Sequence, residues 1–450
     1  MDERRHQASN AVVAGLLKRL KEEQPIWGHL PAQMRFKQEL VRQVGVLRAF
    51  QVAAASLPVP GLQCLGKRRI RSLGEAARTE ALAYTELWAG GEDFESPPPR
   101  ILGPNDHGPF RGISRSAYLA CFADCLVRGR SAVVLREDAA LVDVEGEEGR
   151  HLPDNPAYDP GILHATPHHF WTMEPTAETP IIDVEEAFLL SGSHTLDFGH
   201  WMSEYLPKLA IARLAGLPPM PVLIDERIPG THRQSLDLFL PERTATIPIP
   251  HLAAVKVRRL WVASNPMFMG FYPTTWDAAA WEASATHPGN FARLYQELGR
   301  CLERQGLSDP GRPRVYIARK GSRRKKLLQN HAEIEALAGL AGFHRIYPED
   351  LPFADQVAHA LHATHLLGPE GSNMMLGFFA RPRTRLAVLT SPHTYPLADL
   401  HGIQQGLGVD YTVVTGPFAG EQDPDWLFWT DYRIDPEVFS AFLGDWAASN

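Results

Sequence analysis

The chain has 450 residues, 44% hydrophobic and 22% charged, with a formal net charge of -7. That is enough chain for about two or three domains with cores of their own. The acidic balance argues against a dedicated nucleic-acid binder, and no window approaches the roughly 20 apolar residues that cross a bilayer.

In chain order, residues 1–60 read as a helical N-terminal arm. AVVAGLLKRL and MRFKQELVRQVGVLRAFQVAAA carry the three-to-four-residue apolar spacing. The opening MDERRHQASN stretch has no apolar core ending in a small-residue cleavage site, so no secretory leader is expected. A cytoplasmic protein is expected, with at most peripheral membrane contact. PVPGLQ and ESPPPRILGPNDHGP break the chain. Residues 100–275 then form a first α/β unit, with strands in SAVVLR, EAFLLSG, PVLID and VRRLWV. Within it SRSAYLACFADCLVRG reads as a helix, placing Cys121 and Cys125 one turn apart. With four scattered cysteines in all, free buried thiols in a reducing compartment are the expectation, not a disulfide framework or a zinc site. A helix in WDAAAWEASATHPGNFARLYQELGRCLERQG, interrupted near HPGN, leads to a second unit, residues 285–425. A C-terminal segment, 426–450, ends the chain with the amphipathic DPEVFSAFLGDWAAS.

The second unit holds the most informative pattern. VYIARKGSRRKK, HLLGPEGSNMML and RPRTRLAVLT alternate short apolar runs with polar turns and helix-period segments, the signature of βαβ units. Ligands in open α/β sheets bind beyond the carboxyl ends of strands. Arg319, Lys320, Arg323 and Arg324 follow one strand; Gly368, Glu370, Gly371, Ser372 and Asn373 follow another. Guanidinium groups facing the open N–H groups of a helix start make a pocket for a phosphorylated ligand. In that turn Ser372 or Asn373 would cap the helix, and Glu370 would accept ribose hydroxyls or sit as a surface carboxylate. Lys325 and Lys326 read as solvated.

Upstream, LDFGHWMSEYLPKLAIARL puts His200 near a helix start with Glu204 one turn on; His200 is either a general base, with Glu204 as its orienting partner or alternate, or a core histidine held by a hydrogen bond. Asp197 is either an alternative base or the helix cap. His359, His362 and His365, and His164, His168 and His169, are clustered as metal ligands can be, but neither group has the acidic or HExxH company that a metal site needs. The chain also lacks GxxxxGK[ST] and GxSxG motifs, which disfavours a P-loop ATPase and the common hydrolase elbow.

Taken in order, FGHWMSEYLPKL, THRQSLDLF, YIARKGSRRK, QNHAEIEAL and YPEDLPFADQVAHALHATHLLGPEGSNMMLGFF resemble the catalytic region of family 61 glycosyltransferases. The resemblance implies a GT-B-like α/β fold, in which two Rossmann-like domains face a cleft: the acceptor domain at 100–275 and the nucleotide-sugar domain at 285–425. It implies an inverting, metal-independent hexosyl or pentosyl transferase without a cofactor. Its partners would be a nucleoside-diphosphate sugar and a glycan or glycoconjugate acceptor, in polysaccharide synthesis. Carried over residue by residue, Arg319 and its basic neighbours hold the diphosphate, and Asn330 and Glu333 match a helix start. Glu349 and Gln356 match the next helix, and Gly368, Gly371 and Ser372 lie under the nucleotide. Glu370 stands where the family commonly has histidine. That leaves three alternatives: a carboxylate turned to ribose or base, a different donor mode, or an inactive nucleotide-sugar-binding protein on the same scaffold.

Overall fold

The computed structural model describes residues 41–42, 45–47, 49–51, 64–96, 98–103, 110–143, 159, 161–166, 168–176, 181–251, 253–266, 287–320, 327–392, 397–420 and 430–448. Most of the expected N-terminal arm lies outside these residues. So do Arg323, Arg324, Lys325 and Lys326, and the first part of the helix predicted before HPGN.

Nineteen strands are described. Before the midpoint come β1 Cys64–Ser72, β2 Ala83–Trp88, β3 Asp93–Ser96, β4 Arg100–Leu102, β5 Phe110–Ile113, β6 Ala117–Arg128, β7 Val134–Arg136, β8 Ala139–Val142, β9 Ile162–Ala165 and β10 His169–Glu174. Then follow β11 Ile182–Leu189, β12 Val222–Asp225, β13 Thr246–Ile249, β14 Ala254–Ala263, β15 Arg314–Ile317, β16 His344–Ile346, β17 His365–Pro369, β18 Arg385–Thr390 and β19 Asp410–Thr415. They form one 11-stranded sheet, one 6-stranded sheet and the small β3–β5 pair.

The second sheet is parallel throughout, in the order β16-β15-β17-β18-β19-β4. In the first, β13-β12-β11-β14 are parallel. β6 then runs antiparallel to β14, and the sheet continues through β7, β8, β1, β10 and β9 with only β8 and β1 parallel. The protein is therefore a mixed α/β structure, whose first half is Rossmann-like in its parallel quartet alone.

Alternation along the strands builds the layers. Val315, Ile317, Leu366, Val388 and Val413 face one cluster, joined there by Phe188, Leu190, Val222 and Ile224 of the first sheet. Between the two sheets lie the helices at 198–214, Gly230–Phe239, Pro288–Gln305 and Phe353–His362. Leu294 and Leu298 of the linking helix are wholly buried in this layer, each contributing about 2 kcal/mol. Ala187, Leu189 and Leu223 point the other way, onto Leu73–Glu80. Tyr316, Leu367, Ala387 and Val414 face His331–Leu340 and the C-terminal Pro436–Ala448. The last helix ends against two strand-borne cations: Arg314 donates to the Ala447 carbonyl at 2.7 Å and Arg385 to that of Trp446 at 2.9 Å, a favourable place for positive charge. Among the described residues no helix is long and apolar enough to cross a membrane.

Two expectations are corrected. The Cys121–Cys125 stretch is strand β6, not a helix. It is flanked by β14 on one side and β2 and β7 on the other and is buried along nearly its whole length. The period-two signal that would betray a strand is thus absent, and Ala, Leu and Cys at i,i+4 imitate a helix face. Both thiols are free and buried, and burial pushes Cys125 up to about 12. The second correction concerns the unit boundary at residue 100. The first sheet already begins at β1, whereas β4 pairs with β19 at the edge of the second sheet. A three-residue strand bounded by prolines gives no readable pattern.

Candidate active site

In the second sheet the strand order read by chain position is 2-1-3-4-5, with β15 first and β17 third. Such a sheet opens a crevice where the order reverses, beyond the carboxyl ends of its first and third strands. Arg319 lies two residues past β15, and the turn Glu370–Gly371 follows β17. Arg319 donates to the Glu370 carbonyl at 3.2 Å. A Cβ on Gly371 would come 3.2 Å from the same guanidinium and 2.8 Å from Asn373 Oδ1, so glycine is needed for this close approach. The segment Ser372–Phe379 is a 3₁₀ helix, and its cap is Gly371 with no side-chain cap bond. Neither Ser372 nor Asn373 caps it, contrary to expectation. Its first backbone bond runs from Met374 N–H to Gly371 O at 3.0 Å, so the N–H groups of Ser372 and Asn373 stand at the open end. Asn373 Nδ2 is buried at this turn without a hydrogen-bond partner, an unused donor.

The other predicted residues divide. Gly368 is buried, and a Cβ there would lie 2.5 Å from the Ile317 carbonyl and 2.8 Å from Met374 Sδ; it lets the strands and the 3₁₀ helix close up. Glu370 is buried, with its carboxylate accepting from Thr390 Oγ1. It is thereby turned into the sheet, while its backbone carbonyl meets Arg319. Lys320 pairs with Asp350 at the surface, and Glu349 is exposed in the same Pro348–Asp350 turn. Gln356 is buried beneath that turn, donating to the carbonyls of Pro348 at 2.8 Å and Leu351 at 2.9 Å. Asn330 donates to Glu333 at 3.1 Å and to the Ile434 carbonyl at 2.8 Å, which ties the helix start to the C-terminal segment. The three downstream histidines diverge: His362 bonds the Leu307 carbonyl, His359 stacks on His344, and His365 contacts Thr364. Among the described residues no group of three or more His, Cys, Asp or Glu side chains could hold a metal ion.

The first sheet has its own reversal. Its parallel quartet reads 3-2-1-4, with β11 first and β14 fourth, and the crevice lies between their carboxyl ends. From β11 come Ser191 to His200; from β14 come Ser264 and Asn265. Asp197 is the N-cap residue of the helix that follows, although its side chain makes no cap bond. The helix passes through a π turn at Trp201–Tyr205, where Leu206 N–H reaches back to Trp201 O. Pro207 has no N–H to offer the carbonyl of Ser203, which loosens the ladder there. His200 Nδ1 bonds the Glu204 carboxylate, whose other oxygen accepts from Asn265 Nδ2 at 3.1 Å. Asn265 is itself anchored by Arg115, which donates to its carbonyl at 3.1 Å, and by Asp143, which takes its N–H.

Burial works to raise the Glu204 carboxyl, but the His200 charge and hydrogen bond outweigh it and hold the group below the usual carboxylate value. A carboxylate on Nδ1 fixes the imidazole so that Nε2 is the basic nitrogen. His194 stacks on His200 with ring centres 4.2 Å apart. Neither His194 nor Asn265 was singled out from the sequence; the reversal after β14 would have pointed to Asn265 had that strand order been readable. Asp225, at the end of β12, gathers the loop by accepting from Ser191 at 2.6 Å, Arg130 N–H at 2.5 Å and Thr195. Burial pushes its pKa up, and those bonds offset only part of the effect.

His194 and His232 give the site a pH signature. Burial pushes His194 down to about 3 and His232 to about 4, against about 6.5 in an unfolded chain. The unfolded state therefore binds more protons below pH 6.5, and stability present above that value is lost as pH falls toward 4. Urea unfolding should show a loss of about 2–3 kcal/mol between pH 7 and 5.5. His232→Gln should roughly halve that slope; a flat profile would contradict the buried, neutral state of both rings.

The two crevices adjoin. A Cβ on Gly199, the residue before His200, would lie 3.3 Å from Cβ of Ser372 and 3.6 Å from Cε of Met375. The helix start bearing the imidazole thus rests on the turn that meets Arg319. Phe198 and Phe353 also touch across this junction, with ring centres 6.4 Å apart, and Gln234 accepts from Phe353 N–H at 2.8 Å. No curated protein matches the chain. Residues 198–387 match the family model described as Glycosyltransferase 61. That span begins at the imidazole-bearing helix and runs beyond the Gly371 turn, so the part of the chain that builds both walls of this junction is the part similar to family 61 glycosyltransferases.

Proposed function

We propose that the protein is an inverting glycosyltransferase of GT-B-like arrangement. It would move a hexose or pentose from a nucleoside-diphosphate donor to a hydroxyl of a glycan or glycoconjugate acceptor, without metal or other cofactor. The observation that carries this reading is the contact of Gly199 with Ser372, which sets a buried imidazole–carboxylate pair against an anion-ready turn. In the proposed displacement, His200 Nε2 takes the proton of the acceptor hydroxyl while its oxygen attacks the anomeric carbon. The bond from that carbon to the diphosphate breaks with its electron pair. Arg319, the open N–H groups of Ser372 and Asn373, and Asn373 Nδ2 receive the charge that develops on the leaving group.

Glu370 does not stand in the way of a diphosphate on this reading, because its carboxylate is bonded to Thr390. The test is a panel of nucleoside-diphosphate sugars incubated with the purified protein. One donor should be consumed slowly, by transfer or hydrolysis, without added metal and in the presence of a chelator. Thermal stabilisation by a donor with no turnover would reassign the protein as a nucleotide-sugar binder, and no stabilisation by any donor would remove the reading altogether.

A further inference from the structure

The antiparallel end of the first sheet carries a group of side chains that the reaction does not use. Lys67 of β1 lies directly opposite Trp171 of β10, and Trp171 directly opposite His164 of β9. The three therefore stand in one cross-strand row on one face. Arg69 and His169 form the next row, again in register and on the same face by the two-residue period. Lys67 Nζ sits 5.2 Å from the Trp171 ring centre, and the tilted rings of His164 and His169 lie 5.4 Å and 6.5 Å from it. Trp171 is partly exposed, and Lys67 and Arg69 are exposed. The opposite face of the same strands is different: there Arg68 is ion-paired with Glu174, and Ile70 and Phe170 enter a core cluster. Further along β1, Arg71 is paired with Glu80. Lys67 and Arg69 have no ion-pair partner among the described residues.

A partly exposed indole beside two imidazoles and two cations without ion-pair partners among the described residues, on a protein of net charge -7, has a definite chemical complement. The flat apolar ring suits the C–H face of a pyranose. The ammonium and guanidinium suit carboxylates projecting from the edge of such a ring, and the imidazoles supply hydrogen-bond donors to hydroxyls. We propose that this face is a binding platform for an acidic, uronate-bearing glycan. The choice of a glycan over other anions rests on the transferase reading. β10 stands five strands from β14 in the sheet order, about 24 Å at the usual strand spacing. The platform is therefore a subsite apart from the reaction pocket, suited to a chain of sugars and not to a single unit.

The experiment is calorimetric titration of the full chain with a hyaluronan hexasaccharide, with maltohexaose as the neutral control and vesicles of phosphatidylglycerol and phosphatidylcholine as the lipid arm. Saturable binding of the hexasaccharide is expected, at least tenfold tighter than maltohexaose and weakening as salt is raised. Trp171→Ala should weaken it at least tenfold. Lys67→Glu, at an exposed position that folding does not depend on, should weaken it at least fivefold without changing the melting temperature. Consumption of the nucleotide-sugar, read separately, should be unchanged in Lys67→Glu, so that loss of the platform and loss of the transferase reading are told apart. The proposal falls if the hexasaccharide does not bind, if the two variants bind like the wild type, if maltohexaose binds equally, or if only the vesicles bind.

Discussion

His200→Ala should lower turnover of the nucleotide-sugar about 10²- to 10⁴-fold, the range that a positioned general base contributes, while affinity for the nucleoside diphosphate stays within twofold. The separation is expected because His200 contacts Glu204 and His194 and belongs to the crevice of the first sheet, whereas the groups proposed to bind the diphosphate belong to the second. Glu204→Gln is the finer probe. It keeps the size of the side chain and the acceptor for Asn265 but removes the charge that holds the imidazole, so it should cost turnover without emptying the pocket. The Glu204–His200 pair is almost wholly buried, with side-chain exposures of 3% and 5%. Removing the imidazole alone leaves a buried carboxylate short of its main partner. The melting temperature of His200→Ala should therefore fall, and kinetics should be taken well below it. Steady-state rates with donor in excess decide the matter: unchanged turnover would take His200 out of the role of base.

Arg319→Ala should weaken binding of a nucleoside diphosphate by about tenfold to a hundredfold, as expected for loss of a charge-assisted hydrogen bond of about 1.5–3 kcal/mol. Calorimetry with the diphosphate alone reads this without an acceptor. Arg319→Lys should recover only part of the loss, since an ammonium keeps the charge but cannot reach the Glu370 carbonyl and a phosphate oxygen with one planar fork. Unaltered affinity in Arg319→Ala would place the diphosphate elsewhere. The two substitutions should differ in kind, one acting on turnover and the other on affinity, and a double variant should show both losses.

How much of this could be read beforehand follows from physical periodicity. The second sheet was legible because its central strands are short, apolar at their middles and separated by helices with clear turns, and because the singled-out residues sit in those turns. Arg319 and the Gly371 bend were found there, and the structure brings them together. The pairing of His200 with Glu204 followed from helical spacing, although the π turn that carries it has no such signature. What stayed hidden depends on contacts far apart in sequence. Asn265 reaches Glu204 across 61 positions, and His194 stacks on His200 through a loop without period. Strand β6 misled because burial on both faces erases alternation. Glu370 and Gln356 bond inward, to Thr390 and the 348–351 turn, and Gly368 packs too closely under the Ile317 carbonyl to carry a side chain. Sequence gives a residue's neighbourhood more readily than the direction of its side chain.

Strand β4 has a last consequence. Between β2 and β6, which are paired neighbours in the first sheet, the chain leaves that sheet, lends three residues to the rim of the other and comes back. Ser96 is fastened to Gln405 at 2.9 Å on the way. The halves are stitched by this excursion as well as by the linking helix, so neither can be cut out as a free-standing piece. A fragment beginning at residue 288 would lack its outermost strand and present the bare flank of β19 to solvent, an invitation to self-association. Any dissection into two separate modules would have to take the segment through residues 93–113 along with the later half.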